Sequence, residues 1–314
     1  MGSLDHQQPK LPIIDFTKQK LESADDWLST RQQVVSALEE FGFFIAKCDK
    51  VSLQLHQEIF SLSKELFDLP TETKVLNTSD TPSLGYVGQV PSVPLFENLG
   101  IENATTTESV EKFTNLLWPS GNHHFSETVL SYAKLVSQLD QTVMKMVSES
   151  YAIEKHYKPL QESMSYLLKL NKYRPAKESE RNIGIVPHTD KSFMTILHQN
   201  QVKGLEIKMK DEEWILIDLS PSSFLVMAGE AIMAWTNGRI EAPQHRVIMS
   251  EEEDRYSLGL FTFIRDLKIE VPEELIDEDH PLQFRPFDHY KYMHFIYSEE
   301  GRKSESPIKA FCGI

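Results

Sequence analysis

Two histidines and one carboxylate carry the clearest chemistry in the chain. They stand in Val186-Pro187-His188-Thr189-Asp190 and in Pro243-Gln244-His245-Arg246-Val247. Two imidazoles and a carboxylate can fill one triangular face of an octahedral metal. Three positions then stay open for small molecules, which is the donor set suited to a non-haem Fe(II) oxygenase. Ten residues beyond the second histidine comes Arg255-Tyr256-Ser257. Residues two apart in a strand share a face, so the guanidinium of Arg255 and the hydroxyl of Ser257 can clamp one carboxylate.

Local context separates this pattern from a look-alike. His56-Gln57-Glu58 lies in a stretch where Leu55, Ile59, Leu62 and Leu66 recur at helical spacing. Two residues apart on a helix point to different sides, so that pair is expected on a solvated helix face without a metal. His188 and Asp190 lie instead between two β-like runs, where positions two apart project together. The competing reading is a satisfied polar pair with no ion. For Arg255 it is a surface ion pair with the acidic stretch 251–254. The presence of His245 and the clamp together favours the metal.

The elements that must position these residues follow from periodicity and turn residues. Residues 11–16 read as a short strand, 24 to about 40 and 51–67 as helices, and 42–46 as a strand between them. Residues 77–125 are rich in Pro, Gly, Ser, Asn and Thr and are expected to be mostly loop. A third helix is predicted over 126–151, with Val129, Tyr132, Val136, Leu139, Val143, Met146 and Val147 on one face. From about residue 165 the pattern changes to eight short apolar runs: 166–173, 183–186, 193–198, 204–209, 214–219, 224–227, 247–249 and 256–264. That spacing predicts a sandwich or jelly roll, with ligands from separate strands meeting at its mouth. A polar-aromatic helix over 288–300 and a strand-like end over 308–314 close the chain. The expected organisation is a mainly helical region (1–150) packed on a barrel core (160–270), with a C-terminal helix and tail (271–314). The three are read as one catalytic unit.

Charge and cysteine usage narrow the partners. The formal net charge of −15 argues against nucleic acid and against an anionic membrane surface, both of which need clustered Lys and Arg. Cys48 and Cys312 are the only cysteines, too few for a disulfide framework. The first ten residues are polar, no run is long enough for a membrane span, and the sequons at Asn77 and Asn103 are expected to be unused. A monomer in a reducing cytoplasm, acting on a small molecule, is the expectation.

With these residues assembled, the chain resembles the plant soluble 2-oxoglutarate/Fe(II)-dependent dioxygenases nearly end to end. The resemblance rests on Leu11-Pro12-Ile13-Ile14-Asp15-Phe16, Gly42-Phe43-Phe44, the segment from Phe67 to Lys74, Asn171-Lys172-Tyr173, and the ligand and clamp motifs. Gly85-Tyr86-Val87-Gly88-Gln89, the segment from Phe113 to Pro119, Ile196-Leu197-His198-Gln199-Asn200 and Phe287-Asp288-His289 resemble the AOP-like branch, named for enzymes producing alkenyl glucosinolate side chains. One departure is Lys47-Cys48-Asp49, where many relatives have an Asn-His-Gly turn.

The resemblance implies an α+β fold whose core is a double-stranded β-helix (jelly roll) flanked by helices. It implies Fe(II) held by His188, Asp190 and His245. It also implies 2-oxoglutarate as co-substrate, dioxygen, and ascorbate as a supporting reductant. The far carboxylate of 2-oxoglutarate would meet Arg255 and Ser257, with Tyr173 and Asn171 as further donors. Substrate oxidation by hydrogen abstraction would yield succinate and carbon dioxide as co-products. Phe261 and Phe263 share the parity of Arg255 and are candidate substrate contacts, as is Tyr86 in an apolar segment (85–96) that can cover the barrel mouth or merely pad its flank. Two alternatives stand beside this reading: an Fe(II) oxidase of the same fold that uses no 2-oxoglutarate, and a catalytically silent binder.

Overall fold

The computed structural model describes residues 11–17, 21, 23–250 and 252–314. Helix α1 (Ala24–Phe41) starts where Ser23 accepts the Asp26 N–H at 3.0 Å, with Asp25 and Asp26 at the positive end of the helix dipole. Gly42 ends it in the left-handed region (φ 75°), donating to the Leu38 carbonyl. A β-carbon there would also lie 2.3 Å from the Glu241 carbonyl, so both backbone shape and space call for glycine. The chain turns at once into β2 (Phe43–Lys47), buried over its first four residues, with β1 (Ile13–Asp15) parallel beside it.

Helices α2 (Leu53–Phe67), α3 (Thr71–Lys74), α4 (Thr107–Leu117), α5 (His123–Ser150) and α6 (Glu154–Glu162) complete the N-terminal half, with strand β3 (Phe96–Ile101) among them. The strands that follow are β4 (Met164–Tyr173), β5 (Ile183–His188), β6 (Met194–Gln199), β7 (Leu205–Lys208), β8 (Trp214–Leu216), β9 (Ser223–Ala228), β10 (His245–Ile248) and β11 (Arg255–Ile264). A buried turn of helix, α7 (Glu230–Trp235), separates β9 from β10. The C-terminal part holds β12 (Lys268–Ile269), β13 (Phe287–Asp288), α8 (His289–Phe295), α9 (Glu299–Lys303) and α10 (Pro307–Cys312).

Among the described residues, seven strands form a major sheet in the order β1-β2-β9-β6-β11-β4-β3, and four form a minor sheet, β5-β10-β7-β8. Helices and sheets together make the α+β jelly-roll arrangement. The predicted stripe of α5 is buried throughout, and α1, α2, α4 and α5 cover the outer face of the major sheet. Asp140 ties α5 to that sheet. Its carboxylate accepts from the Tyr166 hydroxyl (3.0 Å) and the Thr262 hydroxyl (2.9 Å). A second apolar core, including Phe43, Leu197, Leu205, Met227 and Val247, fills the space between the sheets.

Two expectations are corrected and a third is refined. Residues 77–125 are mostly loop as expected, but they also contain β3, which finds its partner in β4, and α4, which Thr106 caps and whose Val110, Phe113 and Leu117 are buried. Their turn residues masked a helix whose apolar stripe is short. The 308–314 end is helical rather than strand-like: Pro307 suits a first helical turn, and Ile308 and Cys312, four apart, share the buried face. The predicted helix over 288–300 is two helices, because Ser298 caps a new one by accepting the Gly301 N–H.

Candidate metal centre and cavity

The two histidines are brought together by strand pairing. β5 ends at His188, β10 begins at His245, and the two residues are direct antiparallel partners. Side chains at paired positions leave the sheet on one side, and their ring centroids are 4.2 Å apart. Asp190, in the turn after β5, completes the group. Its Oδ1 lies 3.9 Å from His188 Nε2 and 3.7 Å from His245 Nε2, and the three donor atoms lie within 4.8 Å of one another. Among the described residues this is the only group of three or more such side chains placed to hold an ion.

The remaining polar atoms of these side chains are already engaged. His188 Nδ1 lies 2.9 Å from the Val186 carbonyl and His245 Nδ1 3.3 Å from that of Pro243. As donors to carbonyls these atoms carry the proton, which leaves Nε2 of each ring as the free lone pair. Asp190 Oδ2 accepts the Thr195 hydroxyl at 2.7 Å, leaving Oδ1 for a metal. Burial, and then the neighbouring His245, lower the pKa of His188 to about 4, so it is neutral and able to ligate at ordinary pH. Burial alone would raise the pKa of Asp190, but the two imidazoles and the Thr195 hydrogen bond outweigh it and hold it low. Two nitrogens and one oxygen converge from one side, which fits an ion with open positions.

A buried carboxylate holds the ligand turn. The Glu230 N–H donates to the Asp190 carbonyl at 2.8 Å. Its side chain takes hydrogen bonds from Thr189 and Tyr292 and pairs with Lys191 at 2.5 Å.

The three donors open into a cavity of about 330 Å³. Arg255 lies at one end, fully buried. Its Nη2 donates to Gln199 Oε1 at 2.7 Å and its Nη1 to Ser257 Oγ at 3.4 Å, while its Nε has no partner. The guanidinium carbon sits 5.1 Å from the centre of the Tyr173 ring. Burial lowers the pKa of this arginine, and among the described residues no carboxylate pairs with it. A fully buried guanidinium with an orphaned N–H fits an anionic ligand.

The sheet's two-residue period brings most of the candidates to this cavity. Asn171, Tyr173, Arg255, Phe261 and Phe263 all line it, along with His188, Asp190 and His245. Ser257 lies just behind, hydrogen bonded by Arg255 and by the Asn171 amide. Tyr86 is placed elsewhere: its hydroxyl donates to Glu97 at 2.5 Å and its ring packs against the outer core. Of the surrounding segment, Val87 and Phe96 reach the cavity, while Val93 and Leu95 pack between the sheets. Sequence reasoning missed Lys169, Thr195 and Gln199 as site residues. Lys169 shares strand parity with Asn171 and Tyr173 on β4, and that is the signal that was available, whereas Thr195 and Gln199 lie on β6, where no candidate had been found.

His56 is also corrected. It is buried rather than solvated, with Nδ1 3.0 Å from His198 Nε2, and the Tyr132 hydroxyl is 3.2 Å from His198 Nδ1. Burial, then His56, lower the pKa of His198 to about 3. Glu58 instead pairs with Gln54, so the two still point apart.

Comparison with known proteins agrees with this geometry. Residues 164–264 match the 2OG-Fe(II) oxygenase superfamily, and residues 11–95 match the N-terminal region described as "non-haem dioxygenase in morphine synthesis". The "Probable 2-oxoglutarate-dependent dioxygenase AOP1.2" of Arabidopsis thaliana is 40% identical, over 97% of this chain and 96% of its own length. The chain belongs to the 2-oxoglutarate/Fe(II)-dependent dioxygenases, in their AOP-like branch. Among solved structures, this dioxygenase is similar to the rice dioxygenase for auxin oxidation (27% identity, TM-score 0.82, covering 97% of this chain and 100% of that one). The Arabidopsis thaliana enzyme for auxin oxidation, solved with 2-oxoglutarate, is 29% identical with a TM-score of 0.79, covering 87% and 100%. Fe(II) and 2-oxoglutarate are thus the metal and co-substrate of this dioxygenase, which favours that reading over the oxidase and the silent binder. Among the described residues no helix is long and apolar enough to cross a membrane.

Proposed function

We propose that His188, Asp190 and His245 hold the Fe(II) of this dioxygenase. Arg255, with Ser257, Tyr173 and Asn171, receives the far carboxylate of 2-oxoglutarate. A small organic substrate occupies the remaining cavity beside Phe261 and Phe263. The observation that carries this reading is the fully buried Arg255, orphaned at Nε, in the same cavity as three convergent free donor atoms.

When bound, Fe(II) with 2-oxoglutarate and dioxygen supplies the oxidising power, and succinate and carbon dioxide are the co-products. The protein's share is positioning. The carbonyls of Val186 and Pro243 fix the two rings and their tautomers, and Thr195 fixes the carboxylate. The guanidinium fork of Arg255 orients the diacid along the barrel. The apolar wall formed by Leu84, Leu167, Phe263 and Met293 keeps water from the oxidised carbon.

A plant hormone or specialised metabolite is the substrate class that we propose. The cavity is at the small end of the range for ligand sites, and auxin oxidation is the activity named for the two solved relatives. We further propose that the described elements act as one catalytic unit, working as a cytoplasmic monomer. The buried free thiols of Cys48 and Cys312 support a reducing compartment. The test is succinate formation by purified protein with Fe(II) and 2-oxoglutarate, screened against a metabolite panel. Succinate is expected only when both are supplied, and to rise with a true substrate. Oxidation that proceeds without 2-oxoglutarate would sink the co-substrate assignment.

A further inference from the structure

Resting on that reading, the prime-substrate end of the cavity holds a second cation with no assigned role. Lys169 lies on the cavity face of β4, pairing with Gly100 on one side and Gly259 on the other. Its register with Gly259 puts it four positions from Arg255 along the sheet, roughly 13 Å at ~3.3 Å per residue. Neither neighbouring position carries a side chain. At Gly100 the backbone of Leu84 fills the space, since a β-carbon there would lie 1.8 Å from the Leu84 carbonyl oxygen. This close approach brings the 83–84 segment over the lysine.

The surroundings of the ammonium point it away from Arg255. Its Nζ lies 3.4 Å from Ser83 Oγ and 5.6 Å from the centre of the Phe261 ring. Both belong to the apolar end of the cavity, with Leu84, Leu167 and Met293. Among the described residues Lys169 makes no ion pair, and the acid that acts on it is Asp190, one of the proposed metal ligands. Lys191, which also lines the cavity, is held by Glu230 and Thr189. Among the described residues two cations therefore face the cavity without a carboxylate of their own, Arg255 and Lys169. Lys169 is half-buried, and a cation held against an apolar wall gains when an opposite charge joins it. Consistent with this, burial lowers the pKa of Lys169 to about 8.

We propose that the prime substrate carries an anionic group, a carboxylate or similar, which Lys169 binds while the aromatic or aliphatic body of the molecule lies against Phe261 and Phe263. Lys169 is then a specificity-determining residue. It discriminates acids from their neutral amides and esters, because a neutral group would leave the ammonium unpaired.

The test uses the full chain loaded with Fe(II) and 2-oxoglutarate. Phenylacetate, 3-phenylpropanoate and octanoate are each compared with the matching amide, by stimulation of succinate formation and by competition. The wild type is expected to prefer the acids by about tenfold or more, the loss typical of one charge-assisted hydrogen bond. In Lys169→Met the acid-to-amide ratio should fall toward one, and Lys169→Arg should restore part of it. The ratio is internal to each variant, so a general loss of activity does not mimic the effect. Should Lys169→Met fail to fold, the wild-type ratio alone still decides. Amides that act as well as acids, a ratio unchanged in Lys169→Met, or no response to any acid would each overturn the proposal. Wild-type protein that consumes no 2-oxoglutarate at all would instead count against the dioxygenase reading beneath it.

Discussion

His188 and His245 face each other across the β5–β10 ladder, 57 positions apart in the chain and 4.2 Å apart between ring centres. Each ring is locked by its own upstream carbonyl, two residues back: Val186 for His188 and Pro243 for His245. The ladder fixes where the rings stand, and the carbonyls fix which nitrogen is free. Asp190 then needs only the turn after β5 to bring Oδ1 to within 4 Å of both.

Replacing any of the three donors should remove the metal. His188→Ala, Asp190→Ala and His245→Ala are each expected to lose Fe(II) binding and turnover, since the described residues hold no spare ligand within the group. Asp190→Glu should also be poor, because the extra methylene moves the carboxylate by roughly an ångström where about half that is tolerated. Equilibrium dialysis with Fe(II) under anaerobic conditions checks binding. Near-normal binding in one variant would remove that residue from the site.

Arg255→Lys should weaken 2-oxoglutarate. The ammonium keeps the charge but loses the fork that also reaches Gln199 and Ser257. Loss of one charge-assisted hydrogen bond is worth about 1.5–3 kcal/mol, roughly tenfold to a hundredfold in apparent affinity. Steady-state titration of 2-oxoglutarate measures it. An effect confined to the prime substrate would revive the oxidase alternative.

Glu230→Gln should loosen the metal without touching it. The carboxylate gathers Thr189, Lys191 and Tyr292 around the ligand turn, and its backbone N–H holds the Asp190 carbonyl. Groups that orient ligands typically contribute about tenfold to a hundredfold in metal affinity. Titration with Co(II), followed by its visible absorption, should show such a loss. Unchanged affinity would make Glu230 a fold contact only.

Asp140 gives a pH signature in stability. Burial between α5 and the major sheet raises its pKa to about 6, against the hydrogen bonds from Thr262 and Tyr166 that lower it. A folded pKa above the ordinary value of 3.8 means that the native state binds more protons between the two values. The contribution is therefore fully present below about pH 4 and is lost as pH rises through about 6. Asp140→Asn should remove this dependence. Its stability relative to wild type should rise by up to about 1.4 kcal/mol per pH unit across that window. Urea unfolding at pH 4, 5, 6 and 7 tests this, and parallel curves for the two proteins would contradict it.

Phe261→Ala should uncouple co-substrate consumption from product formation, since its ring lines the cavity beside Lys169. Tyr86→Phe should leave coupling near normal, because its hydroxyl is engaged by Glu97 outside the cavity. The ratio of succinate to product reports both. Strong uncoupling by Tyr86→Phe would bring the 85–96 segment back as a lid.

The chemistry was legible in the sequence because strand parity and donor type are local properties. His188 and Asp190 two apart in extended chain, and Arg255 and Ser257 two apart on β11, needed no tertiary information to be placed on shared faces. The same held for the α5 stripe and for Phe261 and Phe263. Long-range pairing decided the rest. The partnership of His188 with His245, the burial of His56 against His198, and the incorporation of β3 beside β4 depend on elements distant in the chain. Local pattern cannot report such pairing, because a strand edge or a polar helix position becomes interior only when another element covers it. Lys169 is the clearest case: its sequence neighbours read as an ordinary strand, and only the folding of Leu84 over Gly100 and the cavity facing Phe261 leaves its charge without a partner.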